Sequence, residues 1–221
     1  MPRFPFVTRA GLAPALLALL PLFVATAVPA QAATDADLLT SIPVINEHAI
    51  NDVACGQAAA TMVLDYYLPR FGARPATVGI GAVARDVKFS YRRGSPTGTS
   101  PTNLARGLEE AGNALGAPLT ATWEHSQPAD WQTTLQQQLD AGRPVIVYLT
   151  DGGLLWGSAW HYSHYIVVSG LSAGAVIYHD PFDGRKHMVS TATFAKVWGH
   201  GTHRTWSYLR IMPVGTGASL G

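Results

Sequence analysis

Cys55 is the only cysteine in this 221-residue chain. No internal disulfide can staple the fold, so a packed hydrophobic core has to hold it. The composition permits one: 48% of residues are hydrophobic and 13% are charged, against about 25% charged in an average soluble domain. A disordered chain has the opposite balance, with few apolar residues and a high net charge. Beyond the N-terminal region no apolar run reaches roughly 18 residues, the length of a membrane span, which excludes a polytopic membrane protein.

Part of the apolar excess sits at the start. Arg3 and Arg9 precede an apolar stretch from Gly11 to Val28, interrupted by Pro14 and Pro21, and Ala30-Gln31-Ala32 follows. Basic, apolar and small-residue regions in that order form a secretory signal peptide. The expectation is a signal peptide over 1–32, a secreted chain, and one mature domain over 33–221 that needs no membrane partner after cleavage. The mature part keeps 13 basic against 14 acidic residues. A nearly neutral surface without a basic stripe argues against nucleic acid as partner; a monomer is expected. Outside the cytosol an unpaired cysteine can oxidise or mispair, so Cys55 calls for an explanation.

The mature chain reads helices first. Cys55 to Leu68 is a helix with Cys55, Ala59, Met62 and Tyr66 on one face, ended by Pro69. A weaker helix runs from Thr77 to Val87. Arg92 to Thr99 is a loop. Ser100 caps a helix with Pro101 at its first position, and Gly112 stops it. A fourth runs from Asp130 to Ala141, with Gly142 as its stop. Then come short apolar runs of strand length: Val145 to Leu149, Tyr165 to Ser169, Ala175 to His179, Arg185 to Val189 and Trp206 to Ile211, with a short helix over Thr191 to Trp198. Helices followed by a meander of strands make an α+β domain.

Cys55 opens its helix after Asn51-Asp52-Val53-Ala54. A helix N-terminus carries roughly half a positive charge and unpaired N–H groups, both of which favour a thiolate, and Gly56 leaves room for a substrate backbone. A buried structural cysteine fits the same position, so position alone leaves both readings open. A thiolate nucleophile needs a base. His164 directly precedes a strand, and Asp180 ends the next one before Pro181. If these strands are antiparallel and joined by the turn at Ser172 to Gly174, the two residues lie at matching ends, where Asp180 can orient the imidazole. His161 is the rival base. Trp156, Trp160 and Tyr162, in the loop before His164, suit either a substrate groove or a core.

Cys55-Gly56-Gln57-Ala58-Ala59-Ala60-Thr61-Met62-Val63-Leu64 resembles the nucleophile helix of the bacteriocin-processing-peptidase-like cysteine peptidases, family thirty-nine of the papain-like group. His164-Tyr165-Ile166-Val167-Val168-Ser169-Gly170 resembles that family's histidine strand, and His179-Asp180-Pro181 with Gly184 its acidic turn. Gly98-Thr99-Ser100-Pro101, Ala141 to Ile146 and Phe194 to Trp198 agree with it. The resemblance spans Ile42 to Ile211. It implies a papain-like α+β fold, a Cys55–His164–Asp180 triad, a peptide or protein substrate and no cofactor. The family's processing members cut leader peptides after paired glycines and are attached to transporters, so their substrate is not carried over to an exported single domain.

The papain-like group places a glutamine before the cysteine, whose amide helps hold the oxyanion. This chain has no glutamine between Ile42 and Cys55. Asn46 is the candidate amide donor; Glu47 could donate only as a neutral acid, and His48 and Asn51 are further candidates. Losing one donor typically lowers the rate about 100- to 1,000-fold. The pairs His161/His164 and His200/His203 have zinc-like spacing, but no clear carboxylate or thiolate completes either set, so no metal is expected. The alternatives to a peptidase are a cell-wall amidase or an acyltransferase of the same fold, or a catalytically silent binding domain.

Overall fold

A computed structural model describes residues 39–73, 80–126, 129–158, 161–172, 174–201 and 206–215. The signal-peptide expectation for 1–32 lies outside these residues, as does Trp160. Among the described residues no helix is long and apolar enough to cross a membrane.

The first long element, α1 (Cys55–Tyr67), is built from good helix formers around Ala58, Ala59 and Ala60. It is buried on all sides except at Asp65, the pattern of a helix inside a domain rather than on it. Pro69 turns the chain into a short 3-10 segment, and Gly72, at φ 75°, closes it. Helix α2 (Ile80–Asp86) follows. The Arg92–Thr99 loop contains a small hairpin, β1 (Tyr91–Arg92) and β2 (Ser95–Pro96). Arg93 and Gly94 both have positive φ, as a two-residue type I′ turn requires.

Helix α3 (Pro101–Ala114) starts as its sequence dictates, with Ser100 Oγ accepting a hydrogen bond from the Asn103 amide at 3.2 Å. It does not stop at Gly112. A Cβ at Gly112 would sit 2.6 Å from the Ala117 carbonyl oxygen, so this glycine serves close packing, and Gly116, at φ 78°, makes the turn. Strand β3 (Leu119–His125) then forms where none was expected. Helix α4 (Trp131–Asp140), strand β4 (Val145–Leu149), strands β5 (His164–Leu171), β6 (Ala175–Asp180) and β7 (Arg185–Ser190), helix α5 (Thr191–Trp198) and strand β8 (Ser207–Pro213) complete the chain.

Six strands form one antiparallel sheet in the order β3-β8-β4-β5-β6-β7. β4 to β7 are the expected meander. β8 does not extend it but returns to the far side of β4, and β3 pairs outside β8. Helices cover both faces, so the central strands bury alternate residues in two cores. Ile146, Tyr148, Tyr165 and Val167 pack with α1, α2 and α3. Val147, Leu149, Ile166 and Val168 pack with α4 and α5 around Trp131, Phe194 and Trp198. This double burial is why β4 reads as an unbroken apolar run.

Candidate active site

Three elements converge at one end of the sheet. α1 lies against β5 and brings its first residue, Cys55, to the start of that strand. Ala54, the residue before it, offers no side-chain cap, so the first amides of α1 are left open to an anion. His164 is the first residue of β5 and Asp180 the last of β6. The antiparallel register, with Val167 opposite His179, brings the two ends together. His164 Nε2 and Asp180 Oδ1 are 2.7 Å apart, and both side chains are buried. Asp180 is itself held, because the same Oδ1 accepts the Phe182 amide at 2.9 Å. With Nε2 occupied, Nδ1 is the nitrogen left to face Cys55, whose Sγ lies within 4.8 Å of the His164 ring.

Burial opposes a charge on His164. The hydrogen bond that the ring donates to Asp180, with the influence of Cys55 and the charges of both, outweighs it and pushes the imidazole pKa up to about 10. Below that pH the imidazolium is the favoured state at the site, flanked by one group on each nitrogen. Glycine at 152 makes room for this: a Cβ there would lie 2.4 Å from His164 Cβ. The segment Gly152–Leu155 therefore packs directly on the histidine. Trp156, just after it, sets its ring edge on His164 with centroids 5.3 Å apart, and stacks on Phe182 at 4.7 Å. The two rings cover the approach to the buried pair.

Cys55 and His164 open into a cleft of about 390 Å3, lined also by Glu47, Val53, Gly98, Trp156, Tyr162 and Phe182. The other expected site residues fall in different places. Tyr162 is on the rim and largely exposed. Gly56 faces away from the cleft: a Cβ there would lie 2.3 Å from Thr99 Cγ2 and 3.4 Å from the Tyr165 ring, so its smallness serves packing. Asn46 is not at the cleft wall either. Its Oδ1 accepts the His48 amide at 2.8 Å and caps the 3-10 turn Glu47–Ala49. His161 does not reach Cys55, because its Nδ1 is 2.7 Å from Asp151 Oδ2.

The residue that does face Cys55 is Glu47. Its carboxylate oxygen, Cys55 Sγ and a His164 ring nitrogen all lie within 4.8 Å of one another. Among the described residues this is the one group of side chains close enough to share a metal ion. Burial raises the Glu47 pKa to about 7, lowered somewhat by His164 and His48 and raised further by Asp180 and Asp52. Sequence reasoning favoured Asn46 over Glu47 because an amide donates whatever the pH. The 3-10 turn that Asn46 caps rotates the next side chain inward, and Asn46 followed two residues on by His48 was the available signal. Phe182 was missed altogether; an aromatic residue directly after Asp180-Pro181 was its only mark.

Comparison with known proteins bears on the fold and the family. No curated protein matches the chain. Its fold is similar to a C39-like peptidase from Bacillus anthracis, at 16% identity, a TM-score of 0.58, and coverage of 79% of this chain and 96% of that one. It is also similar to a double-glycine-motif protease from an AMS/PCAT transporter, solved with its leader peptide, at 19% identity, a TM-score of 0.50, and coverage of 78% and 91%. The model of the peptidase C39-like family matches residues 39–204. With a papain-like fold and three-quarters of its length matched, the chain belongs to the peptidase C39-like family.

Proposed function

We propose that the chain is a secreted cysteine peptidase that cuts peptide bonds through a thioester on Cys55. The observation that carries this reading is that Cys55 and His164 lie side by side in the wall of one cleft while Asp180, buried behind them, holds His164 Nε2. The Cys55 sulfur attacks the carbonyl carbon of a bound peptide, and the carbonyl electrons move onto oxygen. As that tetrahedral adduct collapses, the C–N bond breaks, and His164 gives its Nδ1 proton to the departing amine. The acyl group stays on sulfur. Water then attacks the thioester, with His164 Nδ1 taking its proton, and the carboxylic acid leaves as the thiol is restored. Asp180 keeps Nε2 engaged throughout and so fixes the ring.

The cleft favours an extended chain with apolar side chains, since Val53, Trp156, Tyr162 and Phe182 form its walls. A relative of this fold solved with a leader peptide supports a peptide as the substrate class. Secretion takes its support from the order of basic, apolar and small residues over 1–32. The test is digestion of a peptide mixture by the mature protein, read by mass spectrometry. New termini made by wild type and absent with Cys55→Ala support the reading; an identical product set from both defeats it.

A further inference from the structure

Cutting an amide places a negative charge on the carbonyl oxygen, next to the sulfur that attacks. That charge needs donors aimed at it, and their removal usually lowers the rate about 100- to 1,000-fold. The open amides at the start of α1 supply one side. Beside the sulfur the structure puts a carboxyl group, where a donor is wanted. Glu47 is 3% exposed, lines the cleft, and has an oxygen within 4.8 Å of Cys55 Sγ and of His164. Among the described residues none hydrogen-bonds this carboxyl. Its backbone is fixed: the Glu47 amide donates to the Pro181 carbonyl oxygen at 2.8 Å, which ties the turn to the loop that carries Asp180. The side chain is thus held in place with its polar end free to serve a ligand.

An ionised carboxylate at this position would repel the oxyanion. A neutral one would donate its O–H to it, as carboxylic acids kept neutral by apolar surroundings do in other oxyanion sites. We propose that Glu47, as a neutral acid, is the second oxyanion donor of the Cys55 peptidase, so that cleavage runs in the acidic range and ceases when Glu47 ionises. The proposal rests on the Cys55 reading above.

The charges around Glu47 are consistent with a switch inside the physiological range. His48, on its own turn, is engaged by Asp52 at 2.8 Å. Asp52 precedes α1, Cys55 begins it, His164 faces Glu47 from β5, and Asp180 lies behind His164 on β6. The two histidines favour the carboxylate and the two aspartates oppose it, which leaves burial to decide and a pKa of about 7. As pH rises through that value the donor becomes a negative charge, and acylation should fall about tenfold per pH unit, the slope of a single ionisation.

The test compares wild type with Glu47→Gln and Glu47→Ala in chelator-treated protein. Each is measured from pH 5 to 9 by acylation with a reactive peptide ester and by alkylation with iodoacetamide. Alkylation attacks a saturated carbon and forms no oxyanion, so it reports the thiol alone. Wild type should acylate fast at pH 5 and lose about tenfold per unit above pH 7. Glu47→Gln, which donates at every pH, should lack that limb and exceed wild type at pH 8 by at least about tenfold. Glu47→Ala should be slower than wild type at pH 5 by about 100-fold. Alkylation of Cys55 should persist in all three, and thermal unfolding verifies that the variants are folded. The proposal is overturned if Glu47→Gln keeps the wild-type limb, if Glu47→Ala acylates at the wild-type rate at pH 5, or if wild type fails to acylate at pH 5 while Cys55 still alkylates. An unreactive Cys55, or undiminished turnover by Cys55→Ala, overturns the nucleophile reading instead.

Discussion

His164 Nε2 stands 2.7 Å from Asp180 Oδ1, one residue starting β5 and the other ending β6. This contact decides which edge of the imidazole meets Cys55. His164→Ala should therefore abolish acylation by a reactive ester, a loss on the order of 10,000-fold or more, as removal of a triad member does. His161→Ala should leave acylation unchanged, because His161 is turned to Asp151. Asp180→Asn keeps a hydrogen-bonding group but removes the charge that offsets burial of the imidazolium, so the His164 pKa falls. Its loss should fall between wild type and His164→Ala, because an amide in this place can still orient the ring, as in Cys-His-Asn sites. Asp180→Ala should lose more than Asp180→Asn. Stopped-flow acylation across the four variants gives the order.

Gly56 and Thr99 make a packing pair, and the prediction there concerns stability. A methyl group at position 56 would overlap Thr99 Cγ2, so Gly56→Ala should destabilise the fold by about 1–3 kcal/mol. Thr99→Ser deletes that methyl and keeps the hydroxyl that donates to the Lys88 carbonyl oxygen at 2.8 Å. The double variant should recover much of the loss. Urea unfolding of the two single variants and the double variant measures the coupling. Full additivity would mean that the two positions do not touch.

The expected and observed placements of the candidate residues differ in an instructive way. Cys55, His164 and Asp180 were legible because each stands at the end of an element, and element ends follow from apolar runs, Pro69, Pro181 and the turn near Ser172. Strand β3 was not legible because only Leu119 of its seven residues is buried. As an edge strand with one wet face and Thr and Glu in alternate places, it lacks an apolar run. Gly112 misled as a helix stop because a glycine needed for close approach and a glycine needed for positive φ look alike in sequence. Asn46 and Glu47 show the same limit. Neighbouring residues in a one-turn 3-10 segment point in different directions, and nothing in their order says which enters the cleft.

A separate prediction concerns acid stability. His179 is buried, with Nε2 3.1 Å from Ser169 Oγ. Burial and then the charge of Lys186 lower its pKa to about 4, against a partial opposing contribution from the backbone at Pro43. Above pH 6.5 the folded and unfolded chains are both neutral at this residue. Below that the unfolded chain takes up a proton that the folded chain refuses, so stability declines from about pH 6.5 to about pH 4 and then levels. The decline attributable to this residue is on the order of 2–3 kcal/mol. In urea unfolding against pH, His179→Gln should show a shallower slope over this window; an unchanged slope would assign the effect elsewhere.

Trp156 covers the His164–Asp180 pair from the cleft side. Trp156→Ala should admit water to the pair and loosen the ring, lowering acylation by tens of fold, up to about 100-fold. Trp156→Phe, which preserves an aromatic face for Phe182, should retain most of the rate. Equal rates for both variants would show that the ring has no part in placing His164.

The nucleophile is tested most directly by intact-protein mass spectrometry after treatment with a peptidyl epoxide, a reagent that needs both an activated thiol and a peptide-binding cleft. Wild type should gain one reagent mass, mapped to Cys55 by digestion. Cys55→Ala should gain none, and His164→Ala should react far more slowly. Unmodified Cys55 in folded wild-type protein, or equal labelling of the His164→Ala variant, would contradict a cysteine peptidase built on Cys55 and His164.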